Sequence, residues 1–228
     1  MRALAIGLLL GLSMIASAQA SSLVVLELFT SQGCSSCPPA DALLQKLAQD
    51  PQVLPLSFHV DYWDNSNWRD PFSLPDSTAR QYAYGKALGQ NGVYTPELVI
   101  DGARGMVGSR KSDIVAAVAA AKMQDKPVSV TITPNKEGLT ISLASTAPVS
   151  TADIWLVTYS PQAITAVRGG ENSGHDLVSI NNVKAITKVG QLTHTSTQLN
   201  VLALSNAEDH YAILVQSIDG KIIGAGTI

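Results

Sequence analysis

Charge is scarce in this 228-residue chain: Asp, Glu, Lys and Arg together make up 14%, and the formal net charge is -3. So little of either sign sets up no basic field, which excludes nucleic acid and anionic lipid as partners. Cysteine occurs only twice, so the chain can close one internal disulfide at most. Past the first twenty residues no segment reaches eighteen uninterrupted apolar residues, and no membrane-inserted helix is expected. There is no repeat of fixed period and no low-complexity tract. His175, His194 and His210 lack metal-ligand spacing, no Gly-x-Ser-x-Gly elbow occurs, and no phosphate-binding glycine motif follows a strand. No cofactor is expected.

What is present begins with an export-type leader. Arg2 supplies a basic start, Ala3 to Ala16 an apolar stretch, and Ala18-Gln19-Ala20 a small-x-small cleavage pattern. Residues 1–20 are therefore read as a signal peptide, which places the mature chain in the periplasm or outside the cell. About 208 residues remain, enough for two domains with cores of their own.

Val24 to Phe29 is short, apolar and branched, broken only by Glu27, as suits a strand covered on both faces. Ala40, Leu43, Leu44, Leu47 and Ala48 then follow a helical period, with Pro38 and Pro39 tolerable only in a first turn. The helix must start close to Cys34. Asp50-Pro51 ends it and Val53 to Val60 reads as a second strand, making a strand-helix-strand unit with a parallel sheet. Residues 61–93 form a polar and aromatic insertion with a helix from Ser77 to about Leu88. Glu97 to Ile100, an Asp101-Gly102 turn and Arg104 to Val107 make a hairpin, and Ile114, Ala117, Val118 and Ala121 mark a closing helix. Beyond Lys122 to Lys126 the apolar period becomes two, as in Val128, Val130 and Ile132. Residues 21–123 are thus expected as an α/β domain and 127–228 as an all-β, sandwich-like domain of roughly seven strands.

Cys34-Ser35-Ser36-Cys37 lies on the strand-to-helix turn. A cross-link closing so short a loop removes little unfolded-chain entropy, roughly 2 kcal/mol against about 4.7 for a loop of a hundred residues, so stapling is a poor use of the pair. Unpaired amides at a helix start favour a thiolate. Cys34 is read as the nucleophile and Cys37, one turn inside, as the resolving thiol.

The order strand, Cys-x-x-Cys, helix, strand, then Thr95-Pro96 and a hairpin resembles the thioredoxin-like superfamily over about residues 23–123. Glu27 to Asp41, His59-Val60-Asp61-Tyr62-Trp63-Asp64 and Tyr94-Thr95-Pro96 further resemble an exported bacterial family without assigned function. Glu97 stands where that family carries Gln, and the Arg168 to Asn182 loop is shifted relative to its Arg-Gly-Glu-Asn pattern. The resemblance implies a cis Thr95-Pro96 bond opposite the cysteines, presenting the Thr95 backbone to a bound peptide.

Glu27, a carboxylate in a doubly covered strand, needs a partner or a task; accepting the proton of Cys37 is one, a buried structural hydrogen bond the other. His59, Asp61, Trp63 and Tyr94 are candidate substrate-binding residues, His59 and Asp61 at the strand end where open α/β sheets place their sites. For His59 and Trp63, packing is the simpler reading. Arg168 to Asp176 is long, Gly-rich and polar, which fits either a functional loop or a plain connection. Together these residues lead to an expected thiol-disulfide oxidoreductase acting on protein thiols or disulfides, with a membrane-held electron donor or acceptor as a further partner. Two rivals stand beside it: a soft-metal site holding Cu(I) through Cys34 and Cys37 with His59 as third ligand, and a binding protein that uses the α/β half as scaffold.

Overall fold

The computed structural model describes residues 23–202 and 208–228; the leader expected over 1–20 lies outside them. Eleven strands and three helices follow in the order β1 (Val24–Thr30), α1 (Pro38–Leu47), β2 (Val53–His59), α2 (Pro75–Ala87), β3 (Glu97–Ile100), β4 (Arg104–Val107), α3 (Lys111–Lys122), β5 (Val128–Pro134), β6 (Gly138–Ser145), β7 (Ala152–Ala166), β8 (Asp176–Leu192), β9 (Ser196–Leu202), β10 (His210–Ser217) and β11 (Ile222–Thr227). No helix among the described residues is long and apolar enough to cross a membrane.

Eight strands form one sheet in the order β11-β10-β7-β8-β2-β1-β3-β4, and three form a second, antiparallel sheet, β5-β6-β9. The expected parallel character is confined to its centre. β1 runs parallel to β2 through the α1 crossover, and β2 parallel to β8; the other pairs are antiparallel. Asp101 and Gly102 both have positive φ, 48° and 63°, the conformation that matches a tight hairpin to strand twist and that glycine adopts without steric cost.

Strand alternation sorts the core. Val25 and Phe29 of β1 join Leu54, Leu56 and Phe58 of β2, Tyr84 of α2, and Val157, Val183, Ala212 and Leu214 from β7, β8 and β10. Val24, Leu26 and Leu28 face the other way, onto Ala40, Leu43 and Leu44 of α1 and Ile114, Ala117 and Val118 of α3. On that same second face, at the far end of the sheet, Ile154, Ile213 and Val215 pack on Val128, Leu139, Ile141 and Leu143 of the smaller sheet.

The seven strands beyond residue 127 therefore form two β layers, and the larger layer continues the sheet of the first half. The 123–127 segment is tied down as well: Lys126 pairs with Asp101 at 2.6 Å and donates to the Leu23 carbonyl, while Asp101 accepts the Val25 amide at 2.7 Å.

Candidate functional site around the cysteine pair

α1 starts where its two prolines need no amide donors, and Cys37 occupies the position just before them. Cys34 and Cys37 form a disulfide across this start, with Cα atoms 5.5 Å apart. Both are shielded, at 1% and 0% exposure. A disulfide sulfur carries no hydrogen, so the Ser36 hydroxyl is the donor in its 3.3 Å contact with Cys34 Sγ.

Ionisable groups lie beneath the pair. Thr30 and His59 end β1 and β2 in register and share the α1 face. His59 Nδ1 is 2.7 Å from Asp70 Oδ2 and Nε2 is 3.1 Å from Asn182 Oδ1, so with both partners accepting, both ring nitrogens donate. Burial works against charge on His59, yet Asp70 holds its pKa above the usual value. Burial likewise opposes charge on Asp70, but the His59 imidazolium and the Gln32 and Phe72 amides hold its carboxyl below the usual range. Through that Gln32 amide, at 2.8 Å, Asp70 also anchors the loop that leads into Cys34.

Asp41 stands four residues after Cys37, on the same side of α1 one turn along. The residue is half-buried, but its Oδ1 is closed off from water and has no hydrogen-bond partner, while Oδ2 accepts from Thr30 Oγ1 at 3.3 Å. Burial pushes this carboxyl up to about 7, against the opposing pull of His59.

Around the rim, a Cβ at Gly33 would sit 3.2 Å from Trp63 Cβ, and the Trp63 indole donates to Thr95 Oγ1 at 2.8 Å. The Thr95-Pro96 bond is cis. Pro96 and Ala40 both crowd Gly108, whose Cβ would meet theirs at 3.3 and 3.1 Å, so Pro96 lies against the first turn of α1. Cys34, Cys37, His59, Trp63, Thr95 and Pro96 are therefore assembled in one place.

Glu27 is not. With Val25 and Phe29 it faces away from α1, where both its oxygens are taken by Arg80 and Oε1 also accepts from Tyr84. The structural hydrogen bond is the role its surroundings allow. Asp61 is engaged with Thr78 of α2, accepting its hydroxyl at 2.5 Å. Tyr94 uses its carbonyl to accept from Gln81 at 2.8 Å and leaves its ring exposed beside Thr95. Gln81 and Gln90 amides bind Glu97. His59 has no free nitrogen for a metal, and no group of three or more potential ligands occurs among the described residues. A cavity of about 420 Å³ lined by Ala83, Trp155 and Ile218 lies on the α2 face, away from the cysteines.

The unforeseen part of the site is its roof. Residues 167–175 are the tip of the hairpin made by β7 and β8, and this tip lies over the cysteine loop. Asn172 Nδ2 donates to the carbonyls of Gln32 and Cys34, each at 2.9 Å. Glu171 Oε2 accepts the Ser35 amide at 2.9 Å. A Cβ on Gly169 would lie 2.0 Å from the Asn67 carbonyl oxygen, so only glycine permits this approach. The local signal was the Gly-rich, polar composition of the loop; its destination, some 136 residues earlier in the chain, carried no signal.

Residues 25–216 match the family described as protein of unknown function (DUF1223). No curated protein matches the chain. Among solved structures, the crystal structure of a protein from Agrobacterium tumefaciens is 31% identical, with a TM-score of 0.80, covering 92% of this chain and 96% of that one. HBP35 of Porphyromonas gingivalis is 15% identical with a TM-score of 0.64, covering 91% of this chain and 75% of its own, a likeness of fold alone.

Proposed function

Since the chain belongs to the DUF1223 family, whose description assigns no activity, we propose from its own site that it is an exported thiol-disulfide oxidoreductase of thioredoxin-like design, acting on protein thiols or disulfides. The observation that carries this reading is the Cys34–Cys37 disulfide across the start of α1, set over Asp41 and the His59–Asp70 pair. The cis Thr95-Pro96 bond beside the same turn supports it. Asp61 is assigned to the turn onto α2, while Trp63 and Tyr94 form the rim that a substrate peptide meets.

In the oxidising direction a substrate thiolate attacks Cys34 Sγ. The Cys34–Cys37 bond breaks, its electron pair leaves on Cys37, and a mixed disulfide forms. Cys37 then takes a proton. Asp41, poised by burial near 7, is the group placed to give it. A second substrate thiolate attacks the substrate sulfur of the mixed disulfide and releases Cys34 as a thiolate. The net change converts a substrate dithiol to a disulfide and the protein disulfide to a dithiol; reduction runs through the same steps reversed, with Cys34 attacking. Glu27 takes no part, being held by Arg80 and Tyr84.

Disulfide exchange with insulin tests the reading. Wild type is expected to exchange, and Cys34→Ser to lose at least about a hundredfold in rate because the attacked sulfur is gone. Equal rates in the two proteins would refute it. Stoichiometric Cu(I) uptake without exchange would replace it with the thiol-metal alternative.

A further inference from the structure

The roof over the cysteines is held by Glu171 in a way that acts on Cys34 itself. A backbone N–H in the turn between the cysteines favours a thiolate at Cys34 when it is free to bond it, and Glu171 occupies one such group, Ser35 N–H, at 2.9 Å. Accepting from Ser35 holds its pKa below the ordinary value, so it is charged at neutral pH. We propose that Glu171 is a positioning residue and latch: closed, it covers Cys34 and withholds the Ser35 amide from a Cys34 thiolate; a protein substrate gains access by displacing it.

Two features support a tip that opens. Cys34 is 1% exposed, so no substrate sulfur meets it while the tip is closed. The Gln32 side-chain carboxamide and the Trp68 indole N–H are also shut in without partners, and Gly170 lies against both Trp68 and Gly33. Lifting the tip returns water to these groups, which offsets the loss of the Glu171 and Asn172 hydrogen bonds. The latch rests on the exchange reading for its purpose, though not for its chemistry.

The charged groups that face the pair are Asp41 on α1, His59 at the end of β2, Asp70 on the segment following it, and Glu171 on the hairpin tip. Of these only Glu171 touches the backbone between the cysteines. Removing its charge while keeping its shape therefore favours the Cys34 thiolate.

The test is alkylation of the reduced protein by iodoacetamide, in which the Cys34 thiolate displaces iodide, followed against pH for wild type, Glu171→Gln and Asn172→Ala. Glu171→Gln is expected to lower the titration midpoint of Cys34 by about half to one pH unit and to raise the rate at pH 7 about three- to tenfold. Asn172→Ala, which frees the tip without changing charge, is expected to raise the rate at every pH with the midpoint much less affected. Unchanged midpoint and rate in Glu171→Gln overturn the latch, even where wild type exchanges with insulin and Cys34→Ser does not. A shifted midpoint in a protein that exchanges with no disulfide upholds the latch and sinks the oxidoreductase reading instead.

Discussion

Asp41 shows how the site stores free energy in one carboxyl. It ionises near 3.8 in an unfolded chain and near 7 in the fold. Its contribution is therefore full below about pH 4 and is lost as pH rises toward 7. Asp41→Asn removes that loss. At pH 8 the variant is expected to be more stable by about 2 kcal/mol, with the gap closing at pH 3.5; urea denaturation at both values reads it, and a variant less stable at pH 8 would contradict the burial argument. His59 and Asp70 behave oppositely to each other. The Asp70 contribution is present above its unfolded pKa and lost as pH falls through its depressed one. That of His59 is present below 6.5 and lost as pH rises through its elevated one. The cysteines and Thr95-Pro96 were legible because their spacing is local. Asp70 and Asn182 were not, since they reach His59 from 11 and 123 residues away. A buried Glu27 needs a partner or a task, and its carboxylate is engaged by Arg80 and Tyr84. A strand apolar on both faces conceals which face a single acid takes, and Glu27 took the one opposite α1.

Among the elements, the β7 and β8 hairpin matters most to the site, because its strands belong to the sheet while its tip covers the cysteines. Gly169 is the contact that sets how deeply the tip sits. Gly169→Ala must push it off the Asn67 carbonyl, at an expected cost of about 1–3 kcal/mol seen in urea denaturation. The same variant should let dithiothreitol reduce the disulfide faster; a rate equal to wild type would show that the tip does not control access. The helical stripes Ala40, Leu43, Leu44 and Ile114, Ala117, Val118 were readable from period alone, and both stripes face the core. Pairing of β8 with β2 was not readable: β2 is apolar on both faces whatever strand lies beside it, and the link is made at a single register, Ser57 with Asn182.

For the whole molecule, the consequence of one shared sheet is cooperativity. Val25, Phe29 and Phe58 pack with Val157, Val183 and Ala212 in one cluster, so cutting the chain after Lys126 strips one face of β1 and β2. Thermal unfolding of residues 21–228 is expected to be a single transition by calorimetry, and residues 21–126 alone to show no cooperative melt. Two well-separated transitions would mean that the halves are independent. The change of apolar period near Lys122 was visible in the sequence and reflects a real change from helices to strands; a sheet that continues across it was hidden because neighbouring strands leave no mark on each other's composition. The hairpin roof also has a history within each molecule. Asn172 lies 138 residues after the Cys34 it covers. At about 5–20 residues per second of chain growth, the two sulfurs are made many seconds before the segment that closes over them, so every newborn copy passes through an interval in which they have no roof.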